Sequence, residues 1–220
     1  MIAVSSFRPH AEDAEYARNQ RRARLSWRDC FDEVHYFGER EPQLESLYQQ
    51  TKFTGTTGFP SILMVTTYAS KLVAEYVAIL NADLVISPVI KDVERRMARM
   101  GLAAATSYRY EFDAEQPHIS RIDAVRNRQD RGMDIFIATP QIWGIVATKV
   151  PPYLRMGHQT WDTWVCGHFC STLGLGFLQF TEEKVVFHPR HGGRRTPHQH
   201  EIRNDDPCFT LAHVPSPMPL

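Results

Sequence analysis

Residues 75–88, EYVAILNADLVISP, decide how the rest of the chain is read. Residues 76–80 form a largely apolar run that suits a buried strand, and the run stops at Asn81-Ala82-Asp83 before resuming as Leu84-Val85-Ile86. A strand interior does not accommodate a carboxylate. The carboxyl end of a central strand in an α/β sheet does, because that is where such sheets present ligands, and a carboxylate there can hold a hard cation. The same triplet also reads as a plain turn, since Asn and Asp tolerate left-handed backbone and cap a following helix.

Outward from this stretch, the chain alternates. Residues 2–6 read as a short strand, residues 16–27 as a helix, and residues 31–38 as a second strand closed by Gly38. Residues 39–57 are polar and end in a turn-rich segment, so they read as a variable connection with room for one short helix. Residues 60–65 read as a third strand, and residues 68–76 carry Ala69, Leu72, Val73 and Tyr76 at helical spacing before the central strand. Alternation of this kind argues for a parallel sheet with helices on its faces. Beyond Pro88, residues 90–100 form a basic amphipathic helix ending at Gly101, residues 103–112 a strand, residues 133–138 another, and residues 143–150 a mixed element. The arginines of residues 18–28 read as a solvated helix face.

The chain has 220 residues, 43% hydrophobic and 23% charged, which fits one globular domain. Lys plus Arg and Asp plus Glu are equal at 25 each, so no global field draws the protein to nucleic acid or membrane. There is no apolar run of membrane-spanning length, and the opening MIAVSSFRPH lacks a basic region followed by a long apolar one, so a cytoplasmic protein is expected. Cys30, Cys166, Cys170 and Cys208 make no disulfide framework and are expected to be reduced. A zinc site built from Cys166, His168, Cys170 and the later histidines is disfavoured by the C-x-H-x-C spacing. There is no G-x-G-x-x-G, Walker sequence, G-x-S-x-G or H-E-x-x-H, which sets aside dinucleotide dehydrogenases, P-loop enzymes and α/β-hydrolases.

The opening strand IAVSSF, the unit YASKLVAEYVAILNAD, and the later GMDIFIATPQIW and GHQTWDTWV, taken in that order, resemble nucleotide-sugar glycosyltransferases of the GT-A fold, family 2-like. The resemblance implies a single α/β domain with a mostly parallel central sheet and helices on both faces. It would span residues 1–196, a nucleotide-binding half at 1–87 and an acceptor half at 88–196, with a tail at 197–220. It implies a hexosyltransferase that moves a sugar from a nucleotide-diphosphate donor, UDP-sugars first, to a hydroxyl of a soluble acceptor. The donor-side residues would be Val4, Ser5, Ser6, Arg8, Lys71, Asn81, Ala82 and Asp83. Mn²⁺ or Mg²⁺ would be held by Asp83 and Asn81, with His188 and His191 as the late histidine candidates. Asn81 stands where the family carries the first acid of its D-x-D triplet, which weakens the metal site or leaves it chiefly to Asp83.

Departure of a nucleotide diphosphate leaves growing negative charge that a divalent cation neutralises, and one or two side chains plus the diphosphate suffice to hold it. An inverting transfer also needs a base for the acceptor hydroxyl. Asp162, between Trp161 and Trp164, is the candidate, because apolar walls raise a carboxyl toward the range where a base works. The other reading makes Asp162 a helix cap with the tryptophans in the core. Asp134, at the start of a strand, is a second acceptor-side candidate. Arginine clusters at 21–24, 95–99, 126–131 and 190–195 keep a DNA acceptor carrying hydroxymethylated bases open, against the zero net charge. Two other classes remain: a GT-A-like binding protein that has lost catalysis, with Asn81 as its sign, and a nucleotidyltransferase of related architecture.

Overall fold

The computed structural model describes residues 1–6, 14–38, 51–53, 60–113, 133–156, 161–173 and 177–190. Strand β1 (Ile2–Ser6) pairs in parallel with β2 (Glu33–Phe37) on one side and with β4 (Val77–Leu80) on the other, and β3 (Thr51–Phe53) extends the sheet beyond β2. Past β4 the direction changes: β8 (Ile135–Ala138) is antiparallel to both β4 and β6 (Ala104–Ser107), and β9 (Phe177–Gln179) closes the edge in parallel with β6. The seven strands thus run β3-β2-β1-β4-β8-β6-β9. A second sheet of three strands, β5-β10-β7, is made from β5 (Val85–Ile86), β10 (Val186–Arg190) and β7 (Tyr110–Asp113).

The inner strands β1, β4, β6 and β8 are buried along their whole length, which is why they read as continuous apolar or small-residue runs without alternation. One face packs against α1 (Ala14–Trp27) and α3 (Ile90–Met100), whose Ala23, Trp27, Ile90, Val93 and Met97 join the same apolar cluster as Ala78 and Leu80. The other face is covered by α2 (Ile62–Ala69), α4 (Pro140–Ala147) and α5 (Trp161–Leu173), with Trp143, Trp161 and Phe169 packed around Phe136. Each such large side chain contributes about 1.5–3 kcal/mol by leaving water, so two full faces stabilise a sheet of this size. Cys30 and Cys166 are free thiols.

Several expectations are corrected. Residues 60–65 are not a third strand: Ser61 caps α2, its hydroxyl accepting from the Met64 amide at 3.1 Å, and the helix runs from Ile62 to Ala69. The strand-like pattern survives only as one antiparallel bridge from Ser61 to Arg155. Ser70 ends that helix, so residues 71–76 are turns and not helix. The single strand expected over 103–112 breaks at Tyr108-Arg109, and its two pieces serve different sheets. Residues 143–150 are mostly helix, started by Thr139 and Pro140. The α1 arginines do not all face water, since Arg24 is buried with its Nε–H donated to the Gln20 carbonyl, and Arg22 lies over the Phe112 ring. The third strand of the sheet is instead β3, inside the connection read as variable. The charged segment at 123–132, which reads as an exposed loop or a short helix, and the tail beyond 197 lie outside the described residues.

Candidate functional site

Asn81, Ala82 and Asp83 form the turn that ends β4, with the Leu84 amide reaching back to the Asn81 carbonyl at 3.4 Å. The turn reading is therefore right, without left-handed backbone: Lys184 is the one non-glycine residue with positive φ among those described. Asp83 is nonetheless buried. The chain after it is held from behind by α1, where the Trp27 indole N–H donates to the Leu84 carbonyl at 2.8 Å and the Ser26 hydroxyl accepts from the Ile86 amide at 3.0 Å. Ser5, at the end of β1, ties the neighbouring strand to the same turn through its hydroxyl, which donates to the Leu80 carbonyl at 2.8 Å.

His188 meets Asp83 across the second sheet. Sequence placed it in a basic loop after a strand, but it lies inside β10, buried, with Nε2 3.3 Å from Asp83 Oδ2. Two ligands at right angles on one small divalent ion, each about 2.1 Å from it, would be about 3.0 Å apart. A carboxylate oxygen and an imidazole nitrogen at this spacing fit Mn²⁺ or Mg²⁺, and the fit is to a site that leaves most positions for substrate oxygens and water. No group of three or more His, Cys, Asp and Glu side chains suited to a metal occurs among the described residues, so neither a closed metal cage nor the zinc site is found there.

Asp134 lies just before β8, opposite the turn. Asn81 donates to it twice, from the side-chain amide to Oδ1 at 2.8 Å and from the backbone amide to the carbonyl at 3.0 Å. The other carboxylate oxygen of Asp134 pairs with the guanidinium of Arg109. Burial opposes the charge on Arg109, but Asp134, Asp83 and Glu111 outweigh it and raise the guanidinium above its ordinary value. Sequence reasoning passed over Arg109. Its signal was available, because an arginine inside an otherwise buriable strand run needs a buried partner.

Asp162 sits in the first turn of α5, its Oδ1 accepting from the Thr163 amide at 2.8 Å. Burial pushes its carboxyl up to about 7, and the charge of Asp134 adds to the rise against the pull of the Thr163 amide and of Arg109. Trp161 and Trp164 are buried in the core, Trp161 edge-on to Phe136 at 5.6 Å and Trp164 stacked on His168 at 5.1 Å. Both are thus packed against core and neighbouring rings and do not form the stacking platform for a sugar that was expected.

The structure therefore brings Asn81, Ala82, Asp83, His188, Asp134 and Asp162 to one region around Arg109, with Ser5 and Ser6 on the adjacent strand end. Val4 is spent in the core and offers a ligand no side-chain surface. Lys71 is exposed in the turn that enters β4, at the opposite end of that strand from the site. Arg8 and His191 lie outside the described residues.

No protein-family model matches the chain, and no curated protein does. Solved structures do. TarS of Staphylococcus aureus in complex with UDP superposes with a TM-score of 0.56 at 10% identity, over 86% of this chain and 60% of that one. The same protein with UDP-GlcNAc gives 0.53 at 10% identity, over 87% and 59%. A cytidylyltransferase from Leptospira borgpetersenii gives 0.48 at 14% identity, over 82% and 74%. This chain thus spans about three fifths of the TarS fragments it matches. The fold is that of the GT-A-like nucleotide-diphospho-sugar transferases: a mostly parallel sheet, interrupted by one antiparallel strand, with helices on both faces.

Proposed function

We propose that this chain is a metal-dependent glycosyltransferase that moves a sugar from a UDP-sugar to a hydroxyl group of a soluble acceptor. The observation that carries the reading is the meeting of the Asp83–His188 pair with a desolvated carboxyl, Asp162, around the shared neighbours Asp134 and Arg109. Asp83, Asp134 and Glu111 all act on the Arg109 guanidinium, so acidic groups are concentrated beside the Asp83–His188 pair. S. aureus TarS, of the same fold, binds UDP and UDP-GlcNAc in its crystals, which supports a nucleotide-sugar donor here.

In this reading Ser5 and Ser6 face the nucleotide, Arg8 is a further candidate contact to it, and Asp83 and His188 would hold Mn²⁺ or Mg²⁺, which would supply positive charge against the departing diphosphate. Asp162 accepts the acceptor's hydroxyl proton as its oxygen attacks, and a carboxyl poised near neutrality is suited to that transfer. Asp134 keeps an ionised group beside it. Of the arginines that kept a DNA acceptor open, Arg24 is buried, Arg95 pairs with Asp92 and Arg96 with Glu183, while Arg21 and Arg99 are exposed.

The test is a panel of UDP-hexoses and GDP-hexoses, each titrated with and without Mn²⁺ and followed for release of nucleotide diphosphate. Metal-dependent binding with slow hydrolysis of a UDP-sugar is expected. Binding without any turnover in the presence of metal would return the chain to the class of scaffolds, and diphosphate release from a nucleoside triphosphate would make it a nucleotidyltransferase.

A further inference from the structure

Asn81 stands where the resemblance places an acid, and its contacts explain why. The antiparallel register pairs Leu80 with Ile135, which sets Asn81 opposite Asp134. Its amide nitrogen lies 2.8 Å from Asp134 Oδ1, and that orientation is fixed by chemistry, since only the NH₂ end of an amide can face a carboxylate. The remaining Asp134 oxygen is taken by Arg109, which sits where the chain leaves the seven-stranded sheet for the three-stranded one. Asp134 is thus the meeting point of three segments: the turn that carries Asp83, the junction of β6 and β7, and the start of β8. An aspartate at position 81 would place two carboxylates within hydrogen-bond distance in a half-buried setting served by a single guanidinium.

We infer that Asn81, Asp134 and Arg109 form a half-buried clasp that positions the two halves of the site, and that residue 81 acts through Asp134 and is not a ligand of the cation. Asn81 is therefore a positioning residue whose neutral donor is required. What the clasp positions rests on the function proposed above, while the clasp itself does not.

The experiment uses the full chain and four variants: Asn81→Ala, Asn81→Asp, Asp134→Asn, and the exchange Asn81→Asp/Asp134→Asn. Melting without ligands should fall by roughly 5–10 °C in Asn81→Asp and in Asp134→Asn, and the exchange should recover most of that, because it restores one donor and one carboxylate. A single variant that fails to fold while the exchange folds supports the clasp equally. In calorimetric titrations of Mn²⁺ with UDP, Asn81→Ala should change affinity by less than about threefold, whereas loss of a true ligand costs about tenfold or more. In transfer, Asn81→Asp should lower kcat while the donor KM stays near wild type, with the exchange restoring kcat. Additive melting losses in the exchange would overturn the inference, and so would a tenfold loss of Mn²⁺ affinity in Asn81→Ala at unchanged melting temperature. A wild-type chain that ignores Mn²⁺ and UDP sinks the proposed transferase, yet the melting comparison still decides the clasp.

Discussion

The two halves of the large sheet present different chemistry at the site. From β3 to β4 the strands are parallel, and the end of β1 offers small neutral groups, Ser5 and Ser6, while the Asn81 amide at the end of β4 is engaged by Asp134. From β8 onward a strand reverses, and this side supplies the ionisable groups Asp134, Arg109, Glu111, Asp162 and His188. Asp83 stands on the border. A parallel array of strand ends is suited to a neutral, hydrogen-bonding ligand face, whereas reversing one strand lets distant segments bring charges to a single point. The comparison teaches that the parallel side of this sheet is neutral at its strand ends and that the charged groups gather where a strand reverses.

The sharpest way to break that division is Asp83→Ala. Metal-stimulated turnover should fall by about a thousandfold or more, since Lewis-acid assistance is worth several kcal/mol, while circular dichroism keeps its native shape. Full activity with unchanged Mn²⁺ dependence would remove the border role. Next, Asp162→Asn should cost transfer about a hundred- to ten-thousand-fold with UDP affinity unmoved, because an amide keeps size and hydrogen bonding but takes no proton. If Asp162 merely capped α5, Asn would replace it with almost no loss.

His188→Ala should weaken Mn²⁺ binding by about 10- to 100-fold in calorimetry, leaving metal-free UDP binding alone. The pH dependence follows from the direction in which Asp162 is moved. A carboxyl raised to about 7 in the folded protein favours folding fully below its unfolded range and loses that contribution as pH rises through about 7. Asp162→Asn should therefore melt higher than wild type at pH 8 and level with it near pH 4, and wild-type transfer should climb with pH to a plateau above neutrality. A wild-type pH profile flat from 5 to 8 would contradict the base. Smallest of all, Arg95→Ala removes an exposed pair with Asp92 and should change stability by less than about 0.5 kcal/mol in urea unfolding.

What could be read from sequence follows the same division. The strand before Asp83 and the helix ending at Gly101 were legible because each is set by local pattern: an unbroken apolar run, and an amphipathic face closed by a left-handed glycine. Asp83 and Asp162 stood out in the sequence because a carboxylate beside apolar residues needs a reason. Arg109 carried the same signal but was passed over, because what it binds is 25 residues away and the strand pattern around it looked continuous. The pairing of His188 with Asp83 depends on β10 lying against β5, a contact across some hundred residues that no local signal encodes. The apolar residues after Ser61 carried the strand reading over 60–65, and packing of α2 on the sheet overrode them.

The position of β10 between β5 and β7 also sets a timetable. Asp83 leaves the ribosome with the parallel half of the sheet, but its partner His188 is made 105 residues later, at about 5–20 residues per second, so for roughly 5–20 s the nascent chain carries the carboxylate without its histidine. During synthesis that pair forms only when one of the last strands described threads between two that have been waiting for it.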